Sequence, residues 1–171
     1  TITSIDTSGM KGTQSASAAN ATGSVTFNAS GLGVATLTGG AFADTFTVSS
    51  TAGVAHVLAG GAGEDTLNLT ANAGLTDVST ITAIQTVNID VVAGADVTIG
   101  SAFDATVDDI TLTGGNSLST FNASTVNTAL ETISAAAFAG NLLVTFAADT
   151  FDNTVTVTGG DLLTDTVTAT I

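Results

Sequence analysis

The residues with the clearest chemical potential in this chain are three glycines and an aspartate in the segment GGAGEDTLN, which begins at Gly60. Gly60, Gly61 and Gly63 tolerate positive φ, so the main chain can turn tightly and bring carbonyl oxygens together. Asp65 adds a carboxylate oxygen, and hard cations such as calcium prefer oxygen ligands. Leu67 then points inward from the strand that leaves the turn. These residues predict a cation-binding turn.

A second, incomplete copy of this turn precedes the first by 21 residues, measured from Asp44 to Asp65. It has the leading glycines Gly39 and Gly40 and the aspartate, but Phe42 stands where the third glycine would be. Two nonapeptides make about 18 residues per turn of a β-roll, so the offset is one turn with a small insertion. We therefore expect the two carboxylates to lie one above the other, in positions from which stacked turns share an ion.

Two further Gly-Gly pairs extend the pattern into a degenerate repeat. Each is followed, four or five residues later, by Asp or Ser, then Thr, then an apolar residue. Ser119 takes the aspartate position after the pair at 114–115, which predicts a turn that has lost its calcium ligand. Asp165 follows the pair at 159–160. The alternative is that Gly-Gly only makes turns before Thr-rich strands.

The sequence gives little support to catalysis, and we expect a protein that is not an enzyme. His56 is the only histidine, the chain has no cysteine, and no G-x-S-x-G motif is present. We interpret His56 as a surface or internally hydrogen-bonded residue. Asp108 and Asp109 are adjacent, so on a strand their side chains point to opposite faces. They are better explained as turn residues or as partners of a cation.

The charge of the chain restricts its partners. Fifteen acidic residues against one basic residue, Lys11, give a net charge of −14 over 171 residues. Such a polyanion repels nucleic acid and anionic membranes, and no apolar run is long enough to span a bilayer. Only 9% of residues are charged and 44% are hydrophobic, which excludes an acidic disordered tail. Without cysteine, cross-links in a secreted protein would come from metal ions or neighbouring chains.

The apolar pattern predicts short strands. V-T-F, V-A-T-L-T and D-T-F-T-V follow one another between Val25 and Val48, and they are rich in β-branched residues. Between Val78 and Val91 the apolar spacing changes from three to two, which we interpret as a corner and a strand rather than a helix. The predicted fold is all-β: a right-handed parallel β-solenoid (β-helix or β-roll), with β-sandwich-like portions as an option and a β-sandwich as the alternative. One solenoid domain is expected over residues 1–171, as a fragment of a longer chain, with its glycine-aspartate turns near 39–47 and 60–69.

A looser phrase also recurs: an apolar residue, Asp or Asn, a small residue and Ser, at 5–8, 27–30 and 121–124. Together with the glycine-aspartate turn, this phrase resembles the RTX proteins of Gram-negative bacteria, and the acidic, Thr/Ala/Gly-rich composition is most similar to RTX-type S-layer and surface-array proteins. The resemblance implies type I secretion and calcium bound by successive turns. Its ligands would be Asp65 with carbonyls around Gly60 to Gly63, and Asp44 with those around Gly39 and Gly40. Only one motif is complete, unlike the dense calcium rolls of secreted toxins and proteases.

The expected function is that of an extracellular structural protein on the cell surface. The chain would self-assemble as a homo-oligomer into a calcium-dependent surface layer, without inserting into a membrane and without binding nucleic acid. A segment of a secreted adhesin or extracellular filament, with cell-surface polysaccharide as a possible partner, is the first alternative. A non-catalytic RTX domain of a secreted hydrolase is the second.

Overall fold

A computed structural model describes residues 2–31, 33–51, 55–72, 80–99, 106–123, 129–146, 154–160 and 165–169. These residues form sixteen strands and no helix, and hence no helix that could cross a membrane. Every strand pair among them is parallel, and each strand pairs with strands two places before or after it in the chain. The chain therefore winds as a parallel β-solenoid, in which strands of one eight-stranded sheet alternate along the chain with strands of two four-stranded sheets.

The eight-stranded sheet is here called the long sheet. Its strands are β1 (Ser4–Asp6), β3 (Thr26–Ala29), β5 (Thr45–Thr51), β7 (Thr66–Asn72), β9 (Thr86–Val91), β11 (Asp109–Gly114), β13 (Thr132–Phe138) and β15 (Thr156–Thr158). The remaining strands form two four-stranded sheets, one that ends with β8 and one that begins with β10. The first short sheet contains β2 (Gln14–Ser17), β4 (Ala35–Thr38), β6 (Val57–Ala59) and β8 (Thr80–Thr82). The second short sheet contains β10 (Asp96–Ile99), β12 (Thr120–Ala123), β14 (Asn141–Phe146) and β16 (Thr166–Ala169).

Alternation of Thr or Asn with apolar residues produces the interior. In a strand, successive side chains point to opposite faces, so every second residue enters the core. The parallel register then stacks these inward residues into columns. The main column of the long sheet is fully buried and consists of Phe27, Phe46, Leu67, Val87, Ile110 and Ile133. The rings of Phe27 and Phe46 stack face to face, with centroids 4.9 Å apart and planes inclined by 1°.

The predicted fold class is confirmed. The uniformly parallel pairing of the described strands is that of a solenoid, whereas a β-sandwich is built from antiparallel sheets. The interpretation of the 78–91 segment as corner and strand is confirmed for residues 80–91, where Ala83 turns the chain with a φ of 53° between β8 and β9. Val78 lies outside the described residues.

Candidate functional site

Asp44 and Asp65 occupy equivalent positions in neighbouring coils, as their 21-residue offset predicts. Each immediately precedes a strand of the long sheet, and the first residues of those strands, Thr45 and Thr66, are register partners. The two aspartates are in contact through the main chain of Asp44 and the side chain of Asp65. The Asp44 amide N–H donates a hydrogen bond to Asp65 Oδ1 over 2.7 Å.

Both oxygens of the Asp44 carboxylate are used by main-chain amides. Oδ1 accepts the N–H of Val25, one coil earlier, over 2.6 Å. Oδ2 accepts the N–H of Gly40, in the same turn, also over 2.6 Å. The side chain is buried, so these bonds satisfy two amides that would otherwise lie unpaired at the edge of the core. Asp44 therefore fastens its turn to the preceding coil.

The same kind of bond also involves a residue outside the glycine-aspartate motifs. The Asp65 N–H donates to Oε1 of Gln85 over 2.7 Å, so Asp44, Asp65 and Gln85 form what we call the amide-acceptor ladder. In each case the acceptor side chain stands directly before a threonine that starts a strand. That acceptor-threonine pair is the sequence feature by which Gln85 can be recognised.

The second short sheet uses the same device twice. Asp165 Oδ1 accepts the N–H of Leu142 over 3.0 Å, and its Oδ2 accepts the N–H of Gly160 over 3.0 Å. At Ser119, where a calcium ligand was predicted to be lost, Oγ accepts the N–H groups of Gly94 over 2.9 Å and Asn116 over 3.1 Å. The serine hydroxyl thus takes over the amide-acceptor role of the aspartate.

The first glycine of the turns at 39–44 and 60–65 makes room for the carboxylate of its own turn. A Cβ placed on Gly39 would collide with the Gly60 carbonyl oxygen and with Oδ2 of Asp44. A Cβ on Gly60 would collide with the Ala83 carbonyl oxygen and with the Asp65 carboxylate. At both positions glycine is required because the next coil and the folded-back carboxylate approach its Cα from two sides.

Positive φ, expected at all three glycines of the complete motif, is found at Gly61 and Gly63 but not at Gly60. Gly61 has a φ of 103° and Gly63 a φ of 114°, values that other residues rarely adopt. A Cβ on Gly61 would also meet the Gly40 carbonyl oxygen, which accepts the Ala62 N–H over 2.9 Å. The turn at 60–65 is therefore packed directly on the turn at 39–44.

Asp65 differs from Asp44 in the hydrogen bonding of one carboxylate oxygen. Its Oδ1 is bonded to the Asp44 amide, but its Oδ2 is buried and has no hydrogen-bond partner. Burial raises the pKa of the Asp65 carboxyl, the bond from the Asp44 amide opposes this, and the nearby carboxylates of Asp44 and Glu64 raise it further. Because a buried carboxylate oxygen needs a partner, Oδ2 fits a cation ligand.

Further acidic residues continue the column in which Asp44 and Asp65 lie. Asp108 and Glu131 precede strands β11 and β13, in register with the amide-acceptor ladder, and we call Asp44, Asp65, Asp108 and Glu131 the acidic edge. Burial raises the pKa of Asp108, and the carboxylates of Glu131, Asp109 and Glu64 add to this effect. Within the described ranges, no three His, Cys, Asp or Glu residues converge as a metal-binding group.

His56 is enclosed in the solenoid and is held between two main-chain groups. Its Nδ1 accepts the Ala35 N–H over 3.1 Å, and its Nε2 lies 3.1 Å from the Ser49 carbonyl oxygen. An amide can only donate and a carbonyl can only accept, so these partners fix the neutral tautomer with the proton on Nε2. Burial lowers the pKa of His56, against the opposing effect of the Ser49 carbonyl. Of the two interpretations of this residue, the internally hydrogen-bonded one is therefore correct.

Comparison of the chain with protein-family models, with curated proteins and with solved structures gives no match. Its function is therefore inferred from the contacts and charges described above.

Proposed function

We propose that this chain is a structural segment of an extracellular protein that self-assembles into a calcium-dependent surface layer. In this proposal the solenoid is the rigid building unit, and calcium at the turn formed by residues 60–65 stabilises it. Copies of the unit then associate once part of their charge has been neutralised.

The observation that carries the proposal is the buried Oδ2 of Asp65. This oxygen has no hydrogen-bond donor, although its neighbour Oδ1 and both oxygens of Asp44 do. Asp65, with main-chain carbonyl oxygens of Gly60 to Gly63, would hold the ion, whereas Asp44 keeps its structural role. Bound calcium would supply positive charge to an edge whose carboxylates repel one another.

The shape and charge of the chain favour an assembled state. Parallel β-solenoids grow by adding coils, and their end strands present main-chain groups to which further strands can pair. A net charge of −14 opposes association of identical copies, so assembly requires that the charge be neutralised or screened. A divalent cation does both.

Calcium titration of the wild type and of Asp65→Asn tests the proposal. We expect calcium to raise the free energy of unfolding of the wild type by RT ln(1 + [L]/Kd), about 2.7 kcal/mol at a free concentration of about 100 Kd. Asn keeps an acceptor oxygen for the Asp44 amide but removes the charge, so the variant should fold and lose most of this gain. Urea unfolding, monitored by circular dichroism, measures both.

Asp96→Asn is the matched control because it removes the same charge from an exposed strand position away from the turn. It should retain the full calcium effect. An equal calcium effect in both variants, or none in the wild type, would overturn the assignment of the ion to this turn. Electron microscopy of the calcium-loaded protein then tests the surface layer: planar arrays that dissolve in chelator support it, whereas axial filaments that persist in chelator favour the filament or adhesin alternative.

A further inference from the structure

The outer face of the long sheet carries two columns of uncharged polar side chains. In β3, β5, β7 and β9 the first and third residues point outward, and the second residue, between them, is buried. The strand register aligns these residues without a shift. The first column is Thr26, Thr45, Thr66 and Thr86. The second column is Asn28, Thr47, Asn68 and Asn88. Together the two columns form what we call the Thr/Asn face.

The Thr/Asn face is a two-dimensional array with a fixed repeat. Neighbouring strands lie about 4.8 Å apart, and residues two positions apart on one strand are separated by about 6.6 Å. The hydroxyl and amide groups therefore recur at these two spacings, in two directions at right angles. The surface of a crystal is a ligand that presents hydrogen-bonding groups on such a grid.

The array is held rigidly. The Nδ2 group of Asn88 donates to Oδ1 of Asn68 over 3.0 Å, which links the second column across coils. Except at the exposed Thr26, the side chains of the face are half-buried against their neighbours. Beneath them, the stacked rings of Phe27 and Phe46 fill the core. Little conformational freedom is left to lose on binding, which favours affinity for a rigid ligand.

The face is neutral in a strongly acidic protein. None of its eight side chains carries a charge, although the chain has 15 acidic residues. Acidic residues border it instead: Asp6 is the register partner of Asn28 at one end, Asp109 is that of Thr86 at the other, and the exposed Asp90 follows Asn88 on the outward side of β9. The matching ligand is therefore uncharged, since the eight side chains offer no counter-charge to either kind of ion and the carboxylates around them repel an anionic surface.

The residue types on the face restrict the chemical class of the ligand further. Sugar rings are usually bound by stacking on exposed aromatic side chains, and the Thr/Asn face has none, because Phe27 and Phe46 point inward. Threonine instead offers a hydroxyl that donates and accepts hydrogen bonds, beside a methyl group that orders adjacent water. In ordered water the oxygen atoms repeat at distances similar to the spacings of the side chains on this face. These side chains therefore match a lattice of ordered water.

We propose that the Thr/Asn face binds the surface of crystalline ice. The threonine and asparagine groups would take the positions of water molecules in the outermost lattice layer, and the threonine methyl groups would lie between the rows. Binding would require no bound cation at the face itself, so it is independent of the calcium site assigned to Asp65.

The test is partition of the protein into slowly growing ice, together with microscopy of ice crystals and measurement of the gap between melting and freezing temperatures. We expect the wild type to enter the ice, to shape crystals into facets and to open a gap beyond the colligative effect. Thr66→Tyr places a bulky ring in the centre of the array and should reduce the partition several-fold. Thr36→Tyr, at an outward, half-buried position in β4 of the first short sheet, is the matched control and should leave it unchanged.

Circular dichroism just above the freezing point establishes that both variants fold. Asn68→Asp provides a second variant, since it keeps the acceptor for Asn88 while adding a charge, and it should also weaken the partition. Absence of ice binding by the wild type, or equal loss in Thr66→Tyr and Thr36→Tyr, would overturn the proposal. So would binding to crystalline cellulose or chitin in place of ice, or a concentration-dependent dimer that Thr66→Tyr abolishes, because the face would then serve a sugar polymer or a second copy.

Discussion

At the scale of single residues, the role of the hydrogen-bond acceptor side chain that precedes a strand cannot be predicted from its residue type alone. Aspartate in a glycine-rich turn indicates a cation, and the offset between Asp44 and Asp65 correctly predicts that they are equivalent. Which atoms contact the carboxylate depends on peptide orientation. The Gly40 amide points at Asp44 Oδ2, whereas the equivalent oxygen of Asp65 has no donor beside a Gly61 with positive φ. Such orientations follow from turn geometry, which a composition pattern does not encode.

His56 gives the residue-scale prediction, a loss of stability at acidic pH. Its folded pKa lies below the ordinary value of 6.5, because burial disfavours the imidazolium and protonation of Nδ1 would set two N–H groups against each other. The unfolded chain therefore binds the proton first as pH falls below 6.5. The contribution of His56 to stability is complete above that pH and declines below it, by up to about 1.4 kcal/mol per pH unit, until the folded pKa is reached.

Urea unfolding from about pH 7 to about pH 5, for the wild type and for His56→Gln, measures this effect. The variant provides the necessary baseline, because the raised pKa values of Asp65 and Asp108 act in the opposite direction: their protonation adds stability as pH falls. We expect the difference between the two proteins to shrink as pH decreases. A difference in free energy of unfolding that does not change with pH would show that the Ala35 amide does not oppose protonation of His56.

At the scale of elements, the turns limit which residues the coils accept. Gly60 is the clearest case, because its Cα faces both the Ala83 carbonyl oxygen and the Asp65 carboxylate. We predict that Gly60→Ala destabilises the fold by about 3 kcal/mol or more, since main-chain atoms of the next coil cannot yield to the added methyl group. Gly12→Ala is the control: Gly12 is exposed, and a Cβ there meets no atom within 4 Å.

Thermal and urea unfolding of the two glycine variants tests that prediction. Gly12→Ala should lie within about 0.5 kcal/mol of the wild type. Similar stabilities of the two variants would mean that the coils can separate at the 60–65 turn without cost.

The strands themselves were the most predictable elements. Alternating Thr and apolar residues identify β4, β5 and β7, because burial on one face leaves a period of two in the sequence. β2 (Gln14–Ser17) was harder to predict: it lies in the small, polar segment 11–23, for which the composition indicates a loop or a weak coil. Its buried residue is Gln14, which is in register with Ala35, so its position comes from stacking on the next coil rather than from its own hydrophobicity.

At the scale of the whole molecule, the acidic edge places like charges along one side of the solenoid. Only one basic residue, Lys11, is present to oppose 15 acidic ones. We predict that raising sodium chloride from about 0.01 M to about 0.15 M stabilises the fold, because the screening length falls from about 30 Å to about 8 Å. The gain should be on the order of 1 kcal/mol, the size of a close charge pair in water.

Melting temperature against sodium chloride concentration measures this, and the Asp65→Asn variant should respond almost as strongly as the wild type, because screening acts on all the acidic groups. Calcium at matched ionic strength separates the two effects: an ion held at the 60–65 turn should stabilise the wild type beyond screening. A melting temperature that is insensitive to sodium chloride would show that the repulsion is already relieved in the folded state.

The direction of the amide-acceptor ladder has a consequence for biosynthesis. Each bond runs from a donor to an acceptor made later: Val25 to Asp44, Asp44 to Asp65, and Asp65 to Gln85. A coil that has just left a ribosome or an export channel therefore lacks its last hydrogen-bond acceptor until its successor, about 20 residues behind, has followed. We therefore expect folding to proceed by local steps along the chain, with the newest coil open to the next. In that case folding during synthesis or export would be vectorial, since each coil would be completed by the one that follows it.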